Sequence, residues 1–222
     1  MLFTDSDRAR IADAIATAEA RTAGEIVVIV ASERQRYPTT ALSVAALLAL
    51  AVPIVVLLSG WTPTSPLADW DEASTAAAIG HALEAVVLLQ ALVFVASLAA
   101  LYFTGLGRLL TPGGLRRDRV HRAALTQFKA RGLERTGGRT GVLIYIDEPE
   151  HLAEVIADTA IYAKVTPDHW GATITALIDG MKAGRPADGV VAAIALAGGV
   201  LATHFPYLTD DVNELPDHLI EL

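Results

Sequence analysis

The run ALSVAALLALAVPIVVLLSG, residues 41–60, carries no charged side chain over twenty residues. As a helix rising about 1.5 Å per residue it reaches roughly 30 Å, the hydrocarbon thickness of a bilayer. A second run, AVVLLQALVFVASLAALYF at residues 85–103, is of similar length and is interrupted by Gln90. Both are candidate transmembrane helices, and together they predict a membrane hairpin. The competing reading is a very apolar core hairpin in a soluble protein.

The connection between the runs, residues 61–80, holds Asp69, Asp71 and Glu72 but no lysine or arginine. Basic residues flank the hairpin instead, with Arg34 and Arg36 before it and Arg108, Arg116, Arg117 and Arg119 after it. The positive-inside bias then places both termini and the main domain in the cytoplasm and the short loop outside, as in a multi-pass protein of the cell membrane. Trp61, Trp70 and Tyr102 lie near the predicted helix ends, where amphipathic rings favour the headgroup region. The hairpin, residues 39–106, interrupts a cytoplasmic domain expected from residues 1–38 and 107–222.

With 222 residues, the chain retains enough outside the hairpin for one domain of ordinary size. The net charge of −8 argues against a nucleic-acid partner, while the basic residues beside the hairpin would meet anionic lipid. There is no cysteine, which excludes disulfides and thiolate metal sites and fits a cytoplasmic domain. The first residues do not join a basic region to an apolar core, so no cleavable signal peptide is expected and the first span serves as the targeting segment.

Thr4 to Thr22 reads as an amphipathic helix, with capping-box spacing at Thr4 and Asp7, an apolar stripe of Ile11, Ile15 and Ala18, and Gly24 closing it. EIVVIVA, residues 25–31, is a β-branched run of the kind found in a strand buried on both faces, and hence central. After the hairpin, TPGG at residues 111–114 signals a turn. Val120, Ala124 and Phe128 then define the buried stripe of a helix that ends at Gly132. Its basic face predicts a solvated surface against lipid headgroups, with phosphate binding as the sharper alternative.

GVLIYI, residues 141–146, is a second strand, and the acidic turn Asp147-Glu148-Pro149-Glu150 leads to a third at residues 152–157. So short a link implies an antiparallel pair, whereas the long crossover between the first two strands suits a parallel one. Thr166 and Pro167 open a helix with Trp170, Ile174, Leu177 and Met181 on one face. Residues 190–202 are almost wholly apolar but short for a span, and Gly198 and Gly199 weaken them further, so a buried core helix is expected. Residues 206–222 read as an extended tail. The fold class that results is α/β, a small mixed sheet flanked by helices with an inserted two-helix transmembrane hairpin.

The order of AEARTAGEIVV (18–28), RTGVLIYI (139–146), EVIAD (154–158), the tryptophan helix (167–182), LATHFP (201–206) and NELPD (213–217) resembles the TPM domain family, in its membrane-inserted bacterial branch. The resemblance covers nearly all of the expected cytoplasmic domain. It implies a small mixed sheet flanked by helices. The family includes plant thylakoid proteins tied to photosystem repair, for which acid phosphatase activity has been proposed, and an accessory protein of animal acetylcholine receptors. Many relatives carry a basic residue near the turn after the second strand, where this chain has Asp147-Glu148-Pro149-Glu150-His151, so a phosphate-contacting arginine there is not expected.

Carboxylates are the remaining chemical candidates. The inferred strand directions put Glu25 and Asp158 at one end of the sheet, and Asp158 resembles the aspartate that follows the third strand in the family. Glu25 and Asp158 are therefore the candidate metal ligands, for Ca2+ or Mg2+, against a competing role as strand-end acids that cap backbone amides or face water. The turn at residues 147–150 lacks the glycine and spacing of an EF-hand loop and reads as solvated. No nucleophile elbow, dinucleotide fingerprint or Walker A loop is present, and His121, His151, His169 and His204 show no paired ligand spacing. Two spans with Gln90 as their obvious polar interior group offer no ion path within one chain. The expected function is a membrane-anchored binding or scaffold module for membrane-protein complexes, with a divalent-metal-dependent acid phosphatase as the alternative.

Overall fold

The computed structural model describes residues 2–33, 36–61, 75–136, 138–207 and 213–222. The first helix, α1 (Asp5–Glu19), opens on the expected capping box: Asp7 N donates to Thr4 Oγ1 at 3.2 Å and Thr4 N to Asp7 Oδ2 at 3.0 Å. Its stripe of Ile11, Ile15 and Ala18 is buried. The strand after it, β1 (Glu25–Ala31), is buried at every position, as its unbroken β-branched run demands.

Two compact units result, Met1–Arg34 with Gly114–Leu222, and Gln35–Gly113. In the first, α5 (Gly113–Ala130) leads through a 3₁₀ turn to β2 (Gly141–Asp147) and β3 (Leu152–Ala157). β1 runs parallel to β2 with Glu25 opposite Gly141, and β2 runs antiparallel to β3 with Asp147 opposite Leu152. The sheet order is β3-β2-β1-β4, where β4 is the short strand Ile220–Glu221, so β1 is interior. Gly132, at φ +76°, terminates α5 in the left-handed conformation that a glycine adopts without strain.

After β3 come the short α6 (Thr159–Tyr162), α7 (Gly171–Lys182) and α8 (Pro186–His204). The expected helix from residue 167 divides, because Pro167–Trp170 forms a 3₁₀ turn and the α-helix begins only at Gly171. Alternation along the strands then builds two cores. Ile26, Val28, Val30, Val142 and Ile144 meet α1, α7 and α8 on one face, while Val27, Ile29, Leu143 and Tyr145 meet Val120, Ala124 and Phe128 of α5 on the other.

α8 buries Val190, Ala193, Ile194, Ala197 and Leu201, so the apolar run from residue 190 serves as a core helix even though its length and composition would suffice to cross a membrane. The extended tail does more than its sequence indicates, because its end joins the sheet. Leu219 is buried, and β4 (Ile220–Glu221) pairs parallel with β1, held by Ser32 N to Leu222 O at 2.9 Å and Leu222 N to Val30 O at 2.9 Å. Two residues of strand leave no periodicity to read; backbone pairing supplies the specificity.

In the second unit, α2 (Pro38–Ser59) packs on α3 (Thr75–Phe103), and its buried residues Ala41, Ala45, Ala49 and Val52 recur about one turn apart. α3 starts at Thr75 instead of Ala85, because TAAAIGHALE is built largely of strong helix formers although less apolar than residues 85–103. Residues 75–80 of the expected external loop are thus helical, and Asp69, Trp70, Asp71 and Glu72 lie outside the described residues. A short helix, α4 (Leu106–Leu110), completes this unit. By length and composition α2, α3 and α8 could each cross a membrane.

Candidate functional site

Glu25 opens β1, its register partner Gly141 opens β2, and Asp158 comes directly after β3, so the three share one end of the sheet. Asp158 N donates to Gly141 O at 2.9 Å, which places the glycine between the two acids. No side chain fits there. A Cβ on Gly141 would lie 2.7 Å from Leu133 O, and the 3₁₀ turn before β2 would have to move.

Both acids are buried, at 7% and 6% exposure, and both hold backbone. Glu25 Oε1 accepts from Glu214 N at 3.0 Å, tying the C-terminal segment to the start of β1. Asp158 Oδ1 accepts from Thr159 N and, at 3.0 Å, from Thr159 Oγ1, which makes it the N-cap of α6. Its Oδ2 is buried without a hydrogen-bond partner. Among the described residues no group of three or more acids or histidines is arranged to hold a metal ion. Calcium and magnesium take six or more oxygens, so Glu25 and Asp158 would supply a minority of such a shell.

Glu19 joins this end from α1, and sequence periodicity did not single it out. Its Oε1 accepts from Ile26 N at 2.8 Å. Burial, followed by the nearby Asp217 and Glu25 carboxylates, pushes its pKa up from 4.5 to about 8 against the opposing effect of the Ile26 amide. Glu19 is thus protonated at neutral pH beneath the segment that carries Glu214 and Asp217. That segment is braced by Asn213 Nδ2 donating to Asp217 Oδ1 at 2.7 Å.

The opposite end of the sheet corrects a second expectation. The turn after β2 is not solvated at two of its three acids: Asp147 and Glu150 are 3% and 4% exposed, while Glu148 stays partly exposed. Asp147 Oδ1 accepts from Glu150 N at 3.1 Å, and Arg116 Nη1 of α5 lies 3.4 Å from Glu150 Oε2. An ion pair from a helix 34 residues upstream is invisible to local pattern. Burial, and then the Asp147 carboxylate, raises the hydroxyl pKa of Tyr145. At a third location the rings of His169 and His204, from the 3₁₀ turn and the end of α8, meet edge to face at 6.2 Å between centroids. The fold pairs two histidines that sequence spacing left apart.

The chain shares its fold with a solved bacterial protein. The NMR structure of the BA42 protein from the psychrophilic bacterium Bizionia argentinensis matches with a TM-score of 0.58 at 20% identity, over 99% of this chain and 95% of that one. At that identity the likeness establishes fold alone. No protein-family model and no curated protein matches the chain.

Proposed function

We propose that this protein is a membrane-anchored α/β domain of TPM type that binds or scaffolds other proteins during assembly or quality control of membrane complexes, with its domain and both termini on the cytoplasmic side of the cell membrane. One observation supports the anchor on which this reading rests. Only 28% of the most apolar window of α2 and 6% of that of α3 is buried within the protein, which leaves Leu47, Leu50, Leu57, Leu58 and Leu92 outward. An apolar surface of that extent belongs in lipid. The hairpin then confines the domain to the bilayer and raises its effective concentration for membrane partners. Affinity purification after gentle solubilisation is expected to recover the same membrane proteins from independent preparations. Repeated recovery of the chain alone would count against the scaffold role.

A second reading, a divalent-metal-dependent phosphomonoesterase, is favoured by the buried, unpartnered Oδ2 of Asp158 at the end of the sheet that also holds Glu25. A divalent cation there would stabilise negative charge on a transferring phosphoryl group. Calorimetric titration of calcium and magnesium into the full chain in detergent tests it, with Asp158→Asn as the control. Asparagine preserves the cap of α6 and removes the charge. Binding that disappears in the variant supports the phosphatase; no heat at millimolar metal leaves the scaffold reading in place.

A further inference from the structure

Gln90 is the twelfth of the 25 residues in the apolar stretch Ile79–Phe103 of α3, within about 2 Å of its midpoint along the helix axis. With the hairpin in a bilayer, its amide lies roughly 15 Å from either headgroup layer, too deep to reach water. The side chain is half-buried, and it makes no hydrogen bond among the described residues. Ser97, on the same helix, satisfies itself by donating to Val93 O at 2.6 Å. Gln90 therefore presents two N–H donors and a carbonyl acceptor to a medium that answers neither.

Its surroundings complete a contact face. Leu83 and Val87, seven and three residues before Gln90 and so on the same side of α3, are both 62% exposed. The small-residue row of α2 is already buried within the chain and so is not open to a second copy. A carboxamide is self-complementary, and a two-fold axis brings identical positions together, so a second copy supplies the missing partner with no further chemistry.

We propose that the hairpin forms a homodimer in the membrane in which α3 of each copy packs on the face carrying Leu83, Val87 and Gln90, and the two Gln90 amides hydrogen-bond to each other. The inference rests on the hairpin lying in the bilayer, as the proposed function requires. The chain contains no cysteine, so an introduced thiol is unique. Full-length Val87→Cys is reconstituted at low density into phosphatidylethanolamine–phosphatidylglycerol vesicles and oxidised. Leu88→Cys, on the opposite side of α3, serves as the control.

The expected result is a disulfide-linked dimer from Val87→Cys and little from Leu88→Cys. Adding Gln90→Leu to Val87→Cys should weaken the dimer about three- to ten-fold. Leucine suits the bilayer at least as well, so loss of cross-linking there does not report failed insertion. Equal cross-linking at both positions, or cross-linking indifferent to Gln90→Leu, overturns the proposal. The same oxidation in native membranes gives one more outcome: Val87→Cys linked to a different protein in place of its copy also overturns it. Carbonate extraction separates the two layers of the argument. A chain released by carbonate refutes the anchor itself, whereas a retained chain without the dimer refutes the dimer alone.

Discussion

Gly180→Ala is expected to destabilise the α/β unit by about 3 kcal/mol or more, read as a fall in the denaturation midpoint of the full chain in detergent. At this point α7 and α8 cross with their backbones touching. A Cβ on Gly180 would sit 2.3 Å from Gly189 Cα and 2.6 Å from Gly189 N, and one on Gly189 would sit 2.9 Å from Leu177 O. Those atoms are backbone and cannot rotate aside, so the helices must separate. Separation opens voids around Leu177, Val190 and Ile194, all 1% exposed or less, and lost contacts add to the steric cost. Helix propensity favours alanine over glycine by about 1 kcal/mol, so a propensity-only account expects stabilisation. Gly171→Ala, where nothing lies within 4 Å of the added carbon, isolates that gain and should be neutral or slightly stabilising. A Gly180→Ala midpoint equal to that of Gly171→Ala would refute the close crossing.

The reach of sequence reading is set by the range of the forces involved. EIVVIVA was legible as a buried central strand because hydrophobicity at successive positions is a local property, and loop lengths sufficed to orient β1, β2 and β3. The placement of Glu25 and Asp158 at one end of the sheet came from those directions. Their contacts did not, since Glu214 reaches Glu25 from the far end of the chain. Buried charge was likewise misjudged at Asp147 and Glu150, where the compensating Arg116 comes from another element. β4 was missed because its two residues are selected by backbone hydrogen bonds that any side chain permits. Periodicity thus located the elements and their order, while electrostatics at the sheet ends required the tertiary contacts.

Glu19 shows the effect of such contacts on stability. Its pKa rises from 4.5 to about 8 on folding, so between these values the folded protein retains a proton that the unfolded chain has released. The sign is fixed: the associated stability is fully present below pH 4.5, is lost as pH climbs through the window, and is gone above about 8. A shift of this size sets an upper limit of about 5 kcal/mol. Because Glu19 is only half-buried, solvent screening reduces the expected effect to about 2 kcal/mol. Glu19→Gln has the shape of the protonated acid and keeps the acceptor for Ile26 N, but it cannot ionise beside Asp217 and Glu25. The variant should match wild type at about pH 4 and exceed it by about 2 kcal/mol at about pH 9, several degrees in melting temperature. Buried Trp170 provides a fluorescence signal from the same unit. Taking the difference between variant and wild type at each pH cancels other titrating groups, including Asp7, whose pKa the Thr4 hydrogen bonds hold below the usual range. A difference that stays flat across this range would mean that Glu19 titrates normally and that the C-terminal segment does not bury it in solution.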